Sequence, residues 1–249
     1  MSDFVEDDSK KVGIGHILRI INNKPADSNS INEKQITVQT LYENRDITLA
    51  LERVELICKE VDLIKHGKHH ALYVSKVAGE IIKKSGATQR DVQLAEIAGY
   101  IHDLGYRLDI ENHSFVSAGM AYEKLHQLNM PQQDIDKVCL GIAYHNSLKP
   151  INIIGAALAI AEYSDYIKER APIKYSDDLL SQLMSRCVSS ELVVDDVYKI
   201  IRLKIEFDFA DLTKQNYLDA SKDRHLCCRE AAGFLGFEYQ VILNDEMVI

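Results

Sequence analysis

Apolar positions recur at helical spacing through the middle of the chain. Leu49, Leu51, Val54, Leu56, Ile57 and Val61 form a wide stripe that predicts a first helix from about residue 47. A second is predicted over residues 69–84, stopped at Ser85–Gly86. A third opens at Thr88, with Asp91 three positions on as a variant capping box, and runs to about Gly105. Residues 114–128, 132–145 and 151–170 complete the set, the last opening with the apolar run INIIGAALAIA. These helices stop before Pro131, Pro150 and Pro172, where proline cannot continue a helix. Short polar joints between helices of this length mean a compact bundle.

Outside that stretch the pattern changes. Residues 176–187 read as helix, IIRLKIEFDF (200–209) partly alternates as a strand would, residues 215–232 are helical again, and FEYQVILND (237–245) reads as a second strand. Towards the N-terminus, residues 12–21 are a short apolar stretch with a Gly13–Gly15 pair, and NNKPADSNSINEKQ reads as a loop. Neither the rest of GxGxxG nor GxxxxGK follows the glycines, so a bend or strand end is expected there rather than a phosphate loop. The expected organisation is mainly α: an N-terminal extension over residues 1–44, a helical bundle over 45–171, and a small α+β appendage over 172–249.

Composition narrows the function classes. The 249 residues are 46% hydrophobic and 27% charged, too apolar for a disordered acidic tail. No apolar run is long enough to span a membrane, and the opening MSDFVEDDSK is acidic where a secretory signal would be basic. Five scattered cysteines without CxxC spacing argue against disulfides and structural zinc, so reduced cysteines and a cytoplasmic location are expected. A net charge of −9 argues against a nucleic-acid polymer as partner. That charge is uneven: the appendage holds 9 basic against 14 acidic residues, whereas the bundle holds 15 against 17. A small anionic substrate is therefore compatible with the bundle.

Candidate chemistry lies in the histidines and carboxylates. On a helix His102 shares a face with Leu94, Ala95 and Ala98, and Asp103 is turned from it by about one hundred degrees. Glu162 follows a largely apolar run, with Asp165 three residues on. His70 opens the second helix, His113 the fourth, and His145 ends the fifth. Buried carboxylates and imidazoles are costly unless paired or metal-bound, and their joint placement at helix ends is most simply reconciled by convergence on a cation. Each has a competing reading: a lone core His is usually hydrogen-bonded, and Glu162 with Asp165 could be a solvated face pairing with Lys168. Arg107 and Lys149, in loops beyond candidate ligands, are candidates for holding phosphate or ordinary loop cations. His66 and His69 are expected to face solvent, although either could contact substrate.

In this order the residues resemble the HD-domain superfamily of metal-dependent phosphohydrolases. HALYV from His70 resembles the family's opening motif, and AGYIHDLG around His102–Asp103 its central one. HSFVSAG from His113 and AYHN around His145 resemble the extra histidines of binuclear branches, among them bacterial diadenosine tetraphosphate hydrolases and cyclic-dinucleotide phosphodiesterases. The family's last ligand is an Asp after Ala; this chain has Ala161–Glu162, leaving Glu162 or Asp165 for that place. The Lys that follows HD-x-G in the cyclic-dinucleotide branch is replaced by Tyr106.

The resemblance implies a helical fold with His70, His102, Asp103, His113, His145 and Glu162 or Asp165 around one or two divalent ions, and with His102 and Asp103 at the catalytic centre. Mixed imidazole and carboxylate ligands suit Mn, Fe, Co, Zn or Mg. The implied activity is hydrolysis of a nucleotide or similar small phosphoester by a metal-activated water. A nucleotide-binding regulatory module with little or no turnover is the alternative, and di-iron oxidation a third. The appendage could cap the site or form a homodimer interface.

Overall fold

A computed structural model describes residues 35–172, 178–210 and 212–249. The apolar stretch at 12–21, its glycine pair and nearly all of the loop after it lie outside those residues. So does the expected start of the helix at residue 176. Nine α-helices and a four-stranded sheet are described.

A short α1 (Val38–Tyr42) leads into α2 (Arg45–Glu60), where the Asn44 side chain accepts from the main-chain N–H groups of Asp46 and Ile47. The stripe of α2 is narrower than its hydrophobic residues suggested. Ile47, Ala50, Leu51, Val54 and Cys58 are buried, whereas Leu49, Leu56 and Val61 are exposed. Six apolar residues over thirteen positions wrap beyond one face, and only positions i, i+3, i+4, i+7 and i+11 from Ile47 meet the core.

Next come α3 (Lys68–Ser85), closed by Gly86 at φ 85°, and α4 (Gln89–Ile101), capped by Thr88, whose Oγ1 accepts from Asp91 N. A 3-10 turn (Leu104–Arg107) joins α4 to α5 (His113–Gln127), followed by α6 (Gln132–Ala143) and α7 (Ile153–Ser164). Apolar on nearly every side, α7 is the central post of the bundle, packed by α3, α4 and α6.

α7 stops at Ser164, six residues short of its expected end. Asp165 leaves the helix at φ −87°, ψ 77°, Tyr166 is buried, and a second 3-10 turn spans Lys168–Arg170. Arg170 holds this exit: Nη1 donates to the main-chain carbonyl of Asp165 at 3.0 Å, and Nε to that of Lys65 at 2.9 Å. Both bonds cross between segments about a hundred residues apart or close the turn itself, so helical periodicity carries no trace of them.

Beyond residue 178, α8 (Leu179–Ser185) leads to β1 (Cys187–Asp195), β2 (Ile200–Phe207), α9 (Lys214–Phe234), β3 (Glu238–Leu243) and β4 (Glu246–Met247). The sheet has order β1-β2-β3-β4, with β2 and β3 parallel and both outer pairs antiparallel. A parallel pair needs a crossover, and α9 supplies it. β2 and β3 alternate and were legible; β1, an edge strand with poor alternation of burial, was not. α9 packs on both β3 and α7, and one buried apolar cluster runs continuously from the bundle to Leu203 and Val241 of the sheet. All five cysteines are free thiols, four of them buried. No helix among the described residues is long and apolar enough to cross a membrane.

Candidate metal centre

Two close helix contacts set the site. A Cβ on Gly99 would lie 2.6 Å from the main chain of Ser75, so glycine lets α4 approach α3 and brings His102 beside His70. A Cβ on Gly105 would lie 2.5 Å from Ser117 N, and Gly105 N donates to Ser117 Oγ at 2.8 Å. That contact seats the turn after Asp103 against the start of α5, where His113 lies. Glu162 arrives from the last turn of α7 and His145 from the turn after α6.

The ligand atoms of His70, His102, Asp103 and Glu162 lie within 4.8 Å of one another, as do those of Asp103, His113 and His145. Asp103 belongs to both sets and divides its oxygens between them. Oδ2 lies 3.0 Å from His102 Nε2 and 3.6 Å from His70 Nε2, while Oδ1 lies 3.7 Å from His113 Nε2. Glu162 Oε2 is 2.6 Å from His70 Nε2 and 3.2 Å from His102 Nε2.

Asp165 stands behind the first set. Its Oδ2 accepts from His70 Nδ1 at 2.7 Å and from Arg170 Nη1 at 3.1 Å. A ligating histidine ordinarily gives its far N–H to such a carboxylate, which fixes tautomer and ring orientation.

The other histidines are oriented by main chain. Nδ1 of His102, His113 and His145 lies 2.7, 2.7 and 2.6 Å from the carbonyls of Gly99, Ile110 and Ile142, each three residues earlier. A carbonyl only accepts, so each Nδ1 carries the proton and each Nε2 of a neutral ring is a lone pair aimed at the cluster. Lone pairs then face carboxylate oxygens, and either a proton or a cation has to lie between them. With a proton in that role, burial lowers the His102 pKa but the Asp103 and Glu162 carboxylates overcome it and hold it up at about 10. Burial likewise opposes ionisation of Asp103 and Glu162, yet His102 and His70 respectively hold them below the usual carboxylate range. Burial, and then the charge on His102, takes His145 down to about 4.

Oδ2 of Asp103 is buried and makes no hydrogen bond. An orphaned carboxylate oxygen among inward-facing imidazole lone pairs fits a divalent cation of the borderline-to-hard kind. The donor set leaves room for one ion on each side of Asp103.

Two residues missed in the sequence belong here. His66, expected to face solvent, is only 14% exposed; its ring stacks on Tyr106 with centroids 4.3 Å apart, and its Nε2 lies 3.9 Å from Glu162 Oε1. Burial pushes its pKa down to about 3. Rings of His66, His70, His102, His145, His113 and Tyr106 form a closed circuit, neighbouring centroids 4.3 to 5.5 Å apart. Arg170 is the other: 4% exposed, it neutralises Asp165 and lies 3.9 Å from Glu162 Oε1. His69 is exposed, as expected.

A cleft of about 380 Å³ opens on the centre through His66, His113 and Glu162, and is lined further by Tyr106, Asn146, Tyr163 and Arg224. Arg107 is not among its walls. It lines a separate cavity of about 220 Å³ with Asp46, Arg53 and Lys124. Lys149 is exposed in the turn after α6.

Residues 68–183 match the family model of the HD domain. The chain carries an HD domain. That HD domain runs from the first residue of α3 into α8 and contains every candidate ligand, whereas Arg224 lies beyond it. Among solved structures, the chain is similar to a protein described as a predicted HD superfamily hydrolase from an uncultured Thermotogales bacterium. The two share 21% identity and a TM-score of 0.41 over 53% of this chain and 75% of the other. No curated protein sequence matches the chain.

Proposed function

We propose that this protein is a metal-dependent hydrolase of small phosphate esters, nucleotides among them. The HD domain supports a metal-dependent hydrolase. The observation that carries the reading is Asp103, whose two oxygens serve two adjoining sets of imidazole and carboxylate donors at the end of a cleft. His70, His102, Asp103 and Glu162 would hold one divalent ion, and His113 and His145, sharing Asp103, a second. Bound there, such ions supply positive charge for a phosphoryl oxygen and make a water molecule acidic enough to attack near neutral pH.

The chain's own residues do the rest. Asp165 and Arg170 keep the His70 ring in place, and the carbonyls of Gly99, Ile110 and Ile142 hold the tautomers of His102, His113 and His145. Stacked His66 and Tyr106 form one wall of the cleft beside the centre. A cleft of about 380 Å³ is at the small end of ligand pockets, which favours a single nucleotide or sugar phosphate over a polymer. The net charge of −9 supports the same choice.

Glu162 does not favour the regulatory alternative, because its longer side chain still brings Oε2 within 3.2 Å of both His70 and His102 Nε2. The test is elemental analysis of protein purified without chelators, followed by a phosphomonoester and phosphodiester panel. Bound transition metal and phosphate release abolished in His102→Ala and Asp103→Ala are expected. Unchanged hydrolysis in those variants would refute the proposal.

A further inference from the structure

The cleft beside the metal centre holds a cation that the HD domain does not supply. Arg224 comes from α9, some forty residues beyond the matched segment, and its guanidinium lines the cleft together with Glu162 and His113. Its guanidinium carbon lies 5.2 Å from the Tyr163 ring centroid and 5.7 Å from that of Tyr166. Tyr163 is tied to the centre: its hydroxyl donates to Asn146 Oδ1 at 3.1 Å, and Asn146 Nδ2 lies 3.2 Å from His113 Nε2.

Charge use separates this arginine from its neighbour. Arg170 is committed, bonded to Asp165 and to the carbonyls of Asp165 and Lys65. Arg224 makes no ion pair with any described residue, and Tyr163 and Tyr166 hold it by cation–π contact together with a hydrogen-bonding interaction with the Tyr166 hydroxyl. Stacking of that kind leaves the in-plane N–H edge available, and that edge matches two oxygens of one phosphate. Asp62, Glu162 and Asp178 share the cleft, and Glu162 attracts Arg224 without pairing with it, so the guanidinium is the cleft's cation toward an incoming anion. Arg107 and Lys149, read from the sequence for this task, do not line the cleft.

We propose that Arg224 binds the non-bridging oxygens of the substrate's phosphoryl group, so that α9 completes a site the HD domain begins. The assignment rests on the phosphoester reading above, and it gives the C-terminal segment a part in substrate recognition.

The test uses the full chain loaded with Mn²⁺ and two probes, inorganic phosphate by titration calorimetry and p-nitrophenyl phosphate by kinetics. Arg224→Met keeps the aliphatic stem and removes the charge. It should weaken phosphate binding about 10- to 100-fold, the worth of a charge-assisted hydrogen bond. Manganese content should stay at the wild-type value, KM should rise more than kcat falls, and Arg224→Lys should recover part of the loss. Should the Met variant not fold, Arg224→Gln is read in its place. Wild-type phosphate affinity in the charge-removed variant overturns the proposal, as does a wild-type protein that binds no phosphate. Arg224-dependent phosphate binding in a protein that hydrolyses no phosphoester would instead refute the hydrolase reading and leave Arg224 in its role. Metal-dependent hydrolysis with an unchanged KM in Arg224→Met would do the reverse.

Discussion

Replacing Asp165 by Asn should weaken metal binding about 10- to 100-fold without abolishing it. In the structure Asp165 touches the centre only through His70, accepting from Nδ1 at 2.7 Å, and its other firm partner is Arg170 at 3.1 Å. Asn keeps the shape and one acceptor but loses the charge, and a charge-assisted hydrogen bond of this kind is worth about 1.5–3 kcal/mol. At about 1.4 kcal/mol per tenfold that is one to two orders of magnitude, the usual effect of disturbing a carboxylate behind a metal-bound histidine. Arg170 still bonds the carbonyls of Asp165 and Lys65, so the turn after α7 should survive. The assay is competition for Mn²⁺ or Zn²⁺ against a fluorescent chelator, run beside Glu162→Gln. Glu162 would contribute a ligand oxygen itself, so its variant should lose at least tenfold more affinity than Asp165→Asn. Equal affinity in Asp165→Asn and wild type, or a larger loss there than in Glu162→Gln, would refute the assignment of Asp165 as support and Glu162 as ligand.

Other expectations follow from the same geometry. His113→Ala and His145→Ala should lower bound metal from two ions to one, because the set around His70 stays whole; an unchanged count by elemental analysis would argue against a second site. In metal-free protein His102 is held up at about 10 from an ordinary 6.5, so its stabilising contribution is complete below about 6.5 and lost as pH rises towards 10. Asp103 and Glu162 are shifted the other way, and their part is lost on acidification below the usual carboxylate range. Melting temperature measured with chelator should therefore fall on both sides of neutrality, more steeply than with metal; a flat profile between pH 7 and 10 would contradict this. Gly99→Ala places a Cβ 2.6 Å from the Ser75 main chain, and overpacking of that kind costs about 1–3 kcal/mol. In a chain of this size each kcal/mol lowers Tm by about 2–4 °C, and a variant melting with wild type would show that α3 and α4 separate freely.

The bundle was legible because its information is local. Caps such as Thr88, the stop at Gly86 and the apolar run of α7 act within a few residues, and the structure follows them closely. Where a boundary depends on a distant partner it was not legible: α7 ends early because Arg170 and Lys65 hold the chain that leaves it. β1 was hidden for a similar reason, since an edge strand that is half covered need not alternate, and only its pairing with β2 makes it a strand.

The site divides along the same line. Sequence alone determined that imidazoles and carboxylates fall at the inner ends of successive helices, since helical spacing and the cost of burying charge operate on each segment separately. Which of them meet was decided by tertiary contacts: the close approach at Gly99, the seat at Gly105, and the turn that puts Asp165 behind His70. His66, Arg170 and Arg224 enter only at that level. Each is an ordinary polar residue in its own segment, and its role comes from packing against residues forty to more than a hundred positions away.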